Sequence, residues 1–324
     1  KNLEDFIIET PHKNPLELLN KKFDQSQIKT VQEKWKPYNF KDQNIDDFLQ
    51  NLNIDKTVEI SSINGGYSNA LKQLNKFIDN GYEDYAKFSS NPSKEASSQL
   101  SPYFHSGQIS THEVFEKISN LESWTLESID PKMVGRREGW WGSTENFESF
   151  MDELITWREL GYHTCVRRAN YDQYSSLPEW AIKTLTDHSS DEREHIYSLD
   201  ELTYSQTHDE IWNAAQNQLR TQGIIQNYLR MLWGKKILEW TPNPQIALSY
   251  MITLNDRYAL DGRDPNSYSG VFWILGRYDR AWGPERSIYG KIRYMTSDST
   301  SKKFNLKPYL EKWSNESLGI HTSL

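Results

Sequence analysis

Residues 227–293 read NYLRMLWGKKILEWTPNPQIALSYMITLNDRYALDGRDPNSYSGVFWILGRYDRAWGPERSIYGKIR. This stretch packs Trp233, Trp240, Trp273 and Trp282 among arginines, glycines and carboxylates. The whole chain has twelve tryptophans in 324 residues. A core filled for packing alone would use mainly Leu, Ile and Val, because each buried indole also needs a partner for its N–H. Tryptophan beside Arg and Gly therefore suggests flat surfaces for a planar ligand. Trp233 and Trp240 stand seven apart on one predicted helix, sharing a face ~10 Å apart along its axis. Rings at that spacing can pass electrons. Two core tryptophans would give the same pattern.

Working outward, the spacing predicts helices at Phe147–Gly161, Trp180–Asp187, Asp209–Trp240 with a break near Gly223, and Pro244–Tyr258. Upstream, Ala70, Leu71, Leu74, Phe77 and Ile78 form one face of a helix that Asn80-Gly81 stops. Ser101-Pro102 reads as an N-cap followed by proline at the first helical position. Ser110-Thr111-His112-Glu113 reads as a capping box. Little sustained period-two alternation is visible, and no glycine-rich strand-to-helix turn of dinucleotide-binding type. The expected fold class is all-α, with one compact domain over residues 61–324. Residues 1–60 read as an extension of short helices and connecting strap, with apolar points at Phe6-Ile7-Ile8 and Phe48-Leu49.

Charge and cysteine use narrow the function. The net charge is −8, yet residues 270–303 carry four net positive charges, from Arg277, Arg280, Arg286, Lys291, Arg293, Lys302 and Lys303 against three acids. That segment is a candidate phosphate-contacting surface, or a solvated charged face. The lone Cys165 excludes intrachain disulfides and cysteine clusters for zinc or iron–sulfur, so no metal site is expected. A reducing, intracellular (cytoplasmic) setting follows. No apolar run approaches the ~18 residues of a membrane span, and the polar start Lys1-Asn2-Leu3-Glu4-Asp5 has no signal-peptide character.

Three constellations could carry chemistry. Ser97, Ser98 and Ser101 offer hydroxyls at a helix start, suited to an anion such as a pyrophosphate, or to ordinary capping. Gly223, Asn227, Arg230 and Gly234 fall at i, i+4, i+7 and i+11, a stripe with little bulk that suits a flat polar ligand. Glu153 and Trp157, at i and i+4, pair a carboxyl with an indole plate, or form a helix-surface pair. Arg230 is expected to pair with one of Asp256, Asp261 and Asp264, since an isolated buried guanidinium is costly.

At these residues the chain resembles the photolyase/cryptochrome family, most closely the class II cyclobutane pyrimidine dimer photolyases. The likeness runs from about Gly65 onward. It is densest in Leu100-Ser101-Pro102-Tyr103-Phe104-His105-Ser106-Gly107-Gln108-Ile109-Ser110, Trp212-Asn213-Ala214-Ala215-Gln216, Lys235-Lys236-Ile237-Leu238-Glu239-Trp240, the segment Leu254 to Asn266, and Gly290-Lys291-Ile292-Arg293-Tyr294-Met295. The resemblance implies a helical FAD-binding domain and blue-light-driven electron transfer from reduced flavin to a dimer flipped out of DNA.

Residue by residue, it assigns Tyr85, Ser97, Ser98, Leu100 and Ser101 to the FAD phosphates and ribityl. Gln108, Arg158 and Asn227 belong to the same pocket. It pairs Arg230 with Asp261 beside the isoalloxazine and sets Asn255 at flavin N5. Trp233, Trp212 and Trp240 match the electron-transfer chain, and Glu153 the carboxyl that hydrogen-bonds the dimer. Trp157, Met231 and Trp273 match the lesion-pocket walls, and Arg293 the residue that fills the hole in the duplex. Relatives carry an α/β antenna domain, of which residues 1–60 match only the trailing linker. Either the natural protein is a short form without the antenna part or this chain is a fragment of a longer one; the reading is a monomer acting on dimer-containing DNA and preferring single strands. The alternative is a cryptochrome-like flavin photoreceptor without repair. A (6-4) photolyase is disfavoured, because Gln226 to Trp233 holds no histidine.

Overall fold

The computed structural model describes residues 25–36, 44–134, 136 and 138–320. The chain divides into two units, Lys1–Glu59 and Ile60–Leu324. The first contains α1 (Gln25–Lys34) and α2 (Ile45–Asn51), the latter capped by Asn44, whose side chain accepts from the Asp46 N–H. Phe48 and Leu49 fall on α2; Lys1–Asp5 and Phe6–Ile8 lie outside the described residues.

The second unit is all-α: the described residues contain no strand, only an isolated bridge between Arg286 and Gly290. Its amino-terminal half holds α3 (Tyr67–Asn80), α4 (Tyr85–Phe88), α5 (Ser101–His105) and α6 (Thr111–Leu121). α3 buries Ala70, Leu74 and Phe77 and stops at Gly81, as its sequence predicts. Ser110 caps α6, its hydroxyl accepting from the Glu113 N–H at 3.0 Å. Ser101 is not the cap of α5. Fully buried Leu100 takes that position without a side-chain bond, and Ser101 is already the first helical residue.

One long helical stretch follows: α7 (Glu145–Met151), a π-helical turn (Asp152–Trp157), then α8 (Arg158–Arg167). The sequence reading ended this element at Gly161. Gly161 instead faces Asn266 and Ser269, so its missing side chain allows a close crossing and stops nothing.

The remaining helices are α9 (Glu179–Asp187), α10 (Leu199–Thr203), α11 (Glu210–Gln222), α12 (Asn227–Glu239), α13 (Pro244–Tyr258), α14 (Pro265–Ile274), α15 (Ser297–Lys303) and α16 (Lys307–Trp313). α13 has the predicted bounds, because Asn243 caps it and Pro244 starts it. α14 begins the same way, with Asp264 as cap and Pro265 first. α12 packs against α11, α13 and α14, which places the tryptophan-rich stretch at the centre of the unit.

The small-residue stripe does not survive folding. Gly223 ends α11 in the left-handed conformation (φ 75°), so it shares no helix with Asn227, Arg230 and Gly234. A Cβ on Gly234 would lie 2.2 Å from Ile274 Cδ1, so that glycine is a helix-packing site and no bed for a ligand.

Buried among these helices is Lys235, fully enclosed, its ammonium donating to the Ile274 carbonyl at the end of α14. Burial drives its pKa from 10.5 down to about 7. Below about pH 7 both folded and unfolded chains are protonated and the burial penalty is complete. Between about 7 and 10.5 the unfolded chain holds a proton that the native one has released, so stability rises with pH, by up to about 1.4 kcal/mol per unit. Denaturant unfolding of wild type and Lys235→Met should therefore diverge in favour of wild type from pH 7 to pH 9. A constant difference would contradict this.

Candidate active site

Arg230 lies within α12, Asn255 in the last turn of α13, and Asp261 in the loop between α13 and α14. That loop is tied tightly. Asp256 accepts the Arg263 N–H at 3.1 Å, with Arg263 itself at φ 67°, and accepts the Tyr268 hydroxyl at 3.2 Å. The Ser267 hydroxyl donates to the Asp261 carbonyl at 2.7 Å. Asp256 thus serves the loop, and the loop turns Asp261 toward Arg230, with Nη2 and Oδ2 3.9 Å apart. Both side chains are mostly buried, and Arg230 Nε and Asp261 Oδ1 have no protein partner. Buried polar atoms normally find partners. A pair with open donors and acceptors is equipped for a polar planar group; Asn255, 2% exposed, lies on the helix that leads into this loop, its amide donating to Asp256 Oδ1 at 3.4 Å.

The second group is the tryptophan series. Trp212, Trp233 and Trp240 are all fully buried. Trp212 Nε1 donates to the Trp233 carbonyl at 2.9 Å, and Trp233 Nε1 to Gln216 Oε1 at 2.8 Å. Trp212 and Trp240 meet edge to face, centroids 5.7 Å apart. Trp240, the C-cap of α12, then touches Tyr197 at 5.5 Å and His208 at 5.2 Å. The Tyr197 hydroxyl is 2.7 Å from His208 Nδ1. The series runs from the middle of α12 to the partly exposed Tyr197 and exposed His208.

The third group surrounds the π turn. Trp157 packs on Trp273 with centroids 4.4 Å apart and planes at 56°, and both meet Tyr278. Glu153 is exposed on the same turn, and Met231 is half-buried on α12 next to Arg230. The sequence placed Glu153 and Trp157 on an α-helix; the turn is π-helical, which also brings Asp152 to Trp157. Nearby in sequence, exposed Arg293 and Arg280 each place a guanidinium 4.8 Å from the Trp282 ring. Arg277 leaves the predicted basic surface. It is 5% exposed, lies over Phe272 at 3.8 Å and donates to the Tyr171 carbonyl and the Ser176 hydroxyl.

No family model matches the chain. A deoxyribodipyrimidine photo-lyase of Methanothermobacter thermautotrophicus is 39% identical over 267 residues, 82% of this chain and 55% of that protein. One from Potorous tridactylus is 38% identical over 263 residues, 81% of this chain and 46% of that protein. An archaeal photolyase from Sulfolobus tokodaii, solved with two FAD molecules, has a TM-score of 0.52 at 16% identity, covering 87% of this chain and 53% of its own. Over the shared stretch, the chain is similar in sequence to these photolyases and in fold to the solved one. It spans about half the length of the curated relatives it matches.

The other residues that the family resemblance singles out occupy several places. Leu100 is buried, Ser97 and Ser98 are half-buried and Ser101 is exposed. The Ser98 carbonyl accepts from Gln73 Nε2 at 2.9 Å. Gln108 accepts the Gly66 N–H at 2.8 Å, tying α5 to the start of α3. Tyr85 sits in an aromatic cluster with Phe77 and Phe150; burial, and then Glu153 and Asp152, raise its phenol pKa. Arg158 pairs with Glu159 at 3.1 Å and covers Tyr162. Asn227 is exposed at the first position of α12, after the capping Gln226.

Sequence reasoning missed Gln216, the acceptor that fixes Trp233, although Gln in a buried helical face beside tryptophans was the available signal. It also missed Asp152, Tyr197 and His208. Gln216→Leu should leave the Trp233 N–H without an acceptor and lower unfolding stability by about 1–3 kcal/mol, read from urea denaturation. An unchanged midpoint would show that Trp233 is held by packing alone.

Proposed function

We propose that the protein is a light-driven cyclobutane pyrimidine dimer photolyase that binds FAD between α12 and the loop after α13. The observation that carries the reading is the Arg230–Asp261 pair, with two buried polar atoms lacking protein partners, at the head of a buried tryptophan series. Reduced FAD, when bound, supplies an electron to the dimer on blue-light excitation. The residues around it bind, orient and exclude water.

Arg230 and Asp261 hold the flavin ring through their unused donor and acceptor atoms. Asn255, one helix away and enclosed, presents an amide to the ring edge, where a hydrogen bond selects the redox state that persists. Trp233, Trp212 and Trp240 form the route by which electrons reach the site, and their complete burial keeps the surrounding medium from relaxing around a transient charge. Tyr85, Ser97, Ser98, Leu100, Ser101, Gln108, Arg158 and Asn227 serve the remainder of the coenzyme.

The substrate is DNA carrying a pyrimidine dimer. Trp157, Trp273 and Met231 form apolar walls for the extruded bases, and Glu153, exposed on the π turn, hydrogen-bonds their carbonyl oxygens. Extruding a lesion costs a few kcal/mol, less where stacking is already weak. Exposed Arg280, Arg286, Lys291 and Arg293 offer a basic rim to the phosphates. Single-stranded dimers are the proposed preferred substrate, and the working unit is a monomer. No described helix is long and apolar enough to cross a membrane.

The test is blue-light illumination of reduced, FAD-loaded protein with a thymine-dimer oligonucleotide, following loss of the dimer chromatographically in single-stranded and duplex forms. Wild type should split dimers, faster in single strands. Glu153→Ala should split them about 10-fold more slowly, the scale of one lost transition-state hydrogen bond, with flavin content unchanged. No repair by loaded wild type would overturn the reading.

A further inference from the structure

The π-helical turn at Asp152–Trp157 achieves a contact that an α-helix forbids. In α geometry, residues five apart diverge by roughly 140° around the axis. The i→i+5 register of a π turn brings them onto one face, and such turns concentrate at functional sites. Here the consequence is a single hydrogen bond: Trp157 Nε1 donates to Asp152 Oδ2 at 2.9 Å in a half-buried setting.

An indole has one donor and no acceptor, so this bond fixes which edge of Trp157 faces inward. The opposite constraint comes from Trp273, whose centroid lies 4.4 Å away, at the near limit for aromatic pairs. Tyr278 closes the group at 6.4 Å from Trp157 and 6.1 Å from Trp273. The plane of Trp157 is thus set from two sides. Asp152 accepts from the indole, and its neighbour Glu153 stands at the exposed face of the same turn.

Resting on the photolyase reading, we propose that Asp152 is a positioning residue for lesion recognition. It holds the Trp157 plane so that the Trp157–Trp273 wall and the Glu153 carboxyl stand at the spacing a flipped dimer requires. It touches neither flavin nor dimer. Its removal should weaken binding of damaged DNA and leave contacts to ordinary DNA alone.

The experiment measures equilibrium binding of FAD-loaded protein to a single-stranded oligonucleotide bearing one thymine dimer and to its undamaged counterpart. Asp152→Ala should raise the Kd for the dimer about 10-fold, the scale of a hydrogen bond to a charged group. The Kd for undamaged DNA and the flavin content should hold within about two-fold. Asp152→Asn, which keeps an acceptor oxygen in place, should restore most of the affinity. A second readout is amide-type exchange of the Trp157 indole N–H, assigned by its loss in Trp157→Phe. It should be slow in wild type and Asp152→Asn and fast in Asp152→Ala.

Unchanged dimer affinity in Asp152→Ala, equal loss for both DNAs, failure of Asp152→Asn to rescue, or fast exchange in wild type would each overturn the positioning role. Wild-type protein that binds damaged and undamaged strands alike would overturn the photolyase reading itself, and this proposal with it.

Discussion

A guanidinium enclosed between helices needs acceptors for its donors, and Arg230 meets that need through the charge of Asp261. Arg230 sits on α12, which packs against α11, α13 and α14, and meets Asp261 at 3.9 Å, longer than a close ion pair and incomplete, since one nitrogen and one oxygen of the pair lack protein partners. Burying charges costs several kcal/mol per ion unless hydrogen bonds complete the shell. The arrangement is reasonable for a protein that receives its missing partner from a ligand. The loop carrying Asp261 is shaped for this duty by Asp256, Arg263, Tyr268 and Ser267, each bonded into the turn.

From that pair the other features follow in space. α12 carries Arg230, Met231, Trp233 and Trp240, so one helix links the charge pair, the apolar wall and the tryptophan series. α11 contributes Trp212 and the Gln216 that anchors Trp233. The π turn contributes Glu153 and Trp157 from another direction. A buried lysine one residue beyond Gly234 fastens the end of α14, on which Trp273 sits, by donating to the Ile274 carbonyl.

Much of this was legible in the sequence because its signals are local. Asn243-Pro244 and the four-residue motif from Ser110 fixed helix starts through capping chemistry, and Asn80-Gly81 fixed a stop. The expectation that Arg230 pairs with a nearby aspartate rested on desolvation, a cost that holds wherever the side chain is buried. Readings failed where packing decided. Gly161 looked like a terminator and is a crossing point; Gly223 and Gly234 looked like a ligand bed and are a left-handed cap and a helix contact. Arg277 looked like surface charge and is buried over Phe272. The π register of Asp152–Trp157 leaves no periodic trace, because one extra residue in a turn alters spacing only where the neighbours demand it.

The central claim is that the Arg230–Asp261 pair is completed by FAD. The direct measurement is a titration of flavin-depleted protein with FAD, followed by quenching of flavin fluorescence, in wild type and in Arg230→Ala. The account predicts saturable uptake of one FAD per chain by wild type and loss of that uptake in the variant, with helical content retained. Equal uptake by both proteins, or none by wild type, would contradict it.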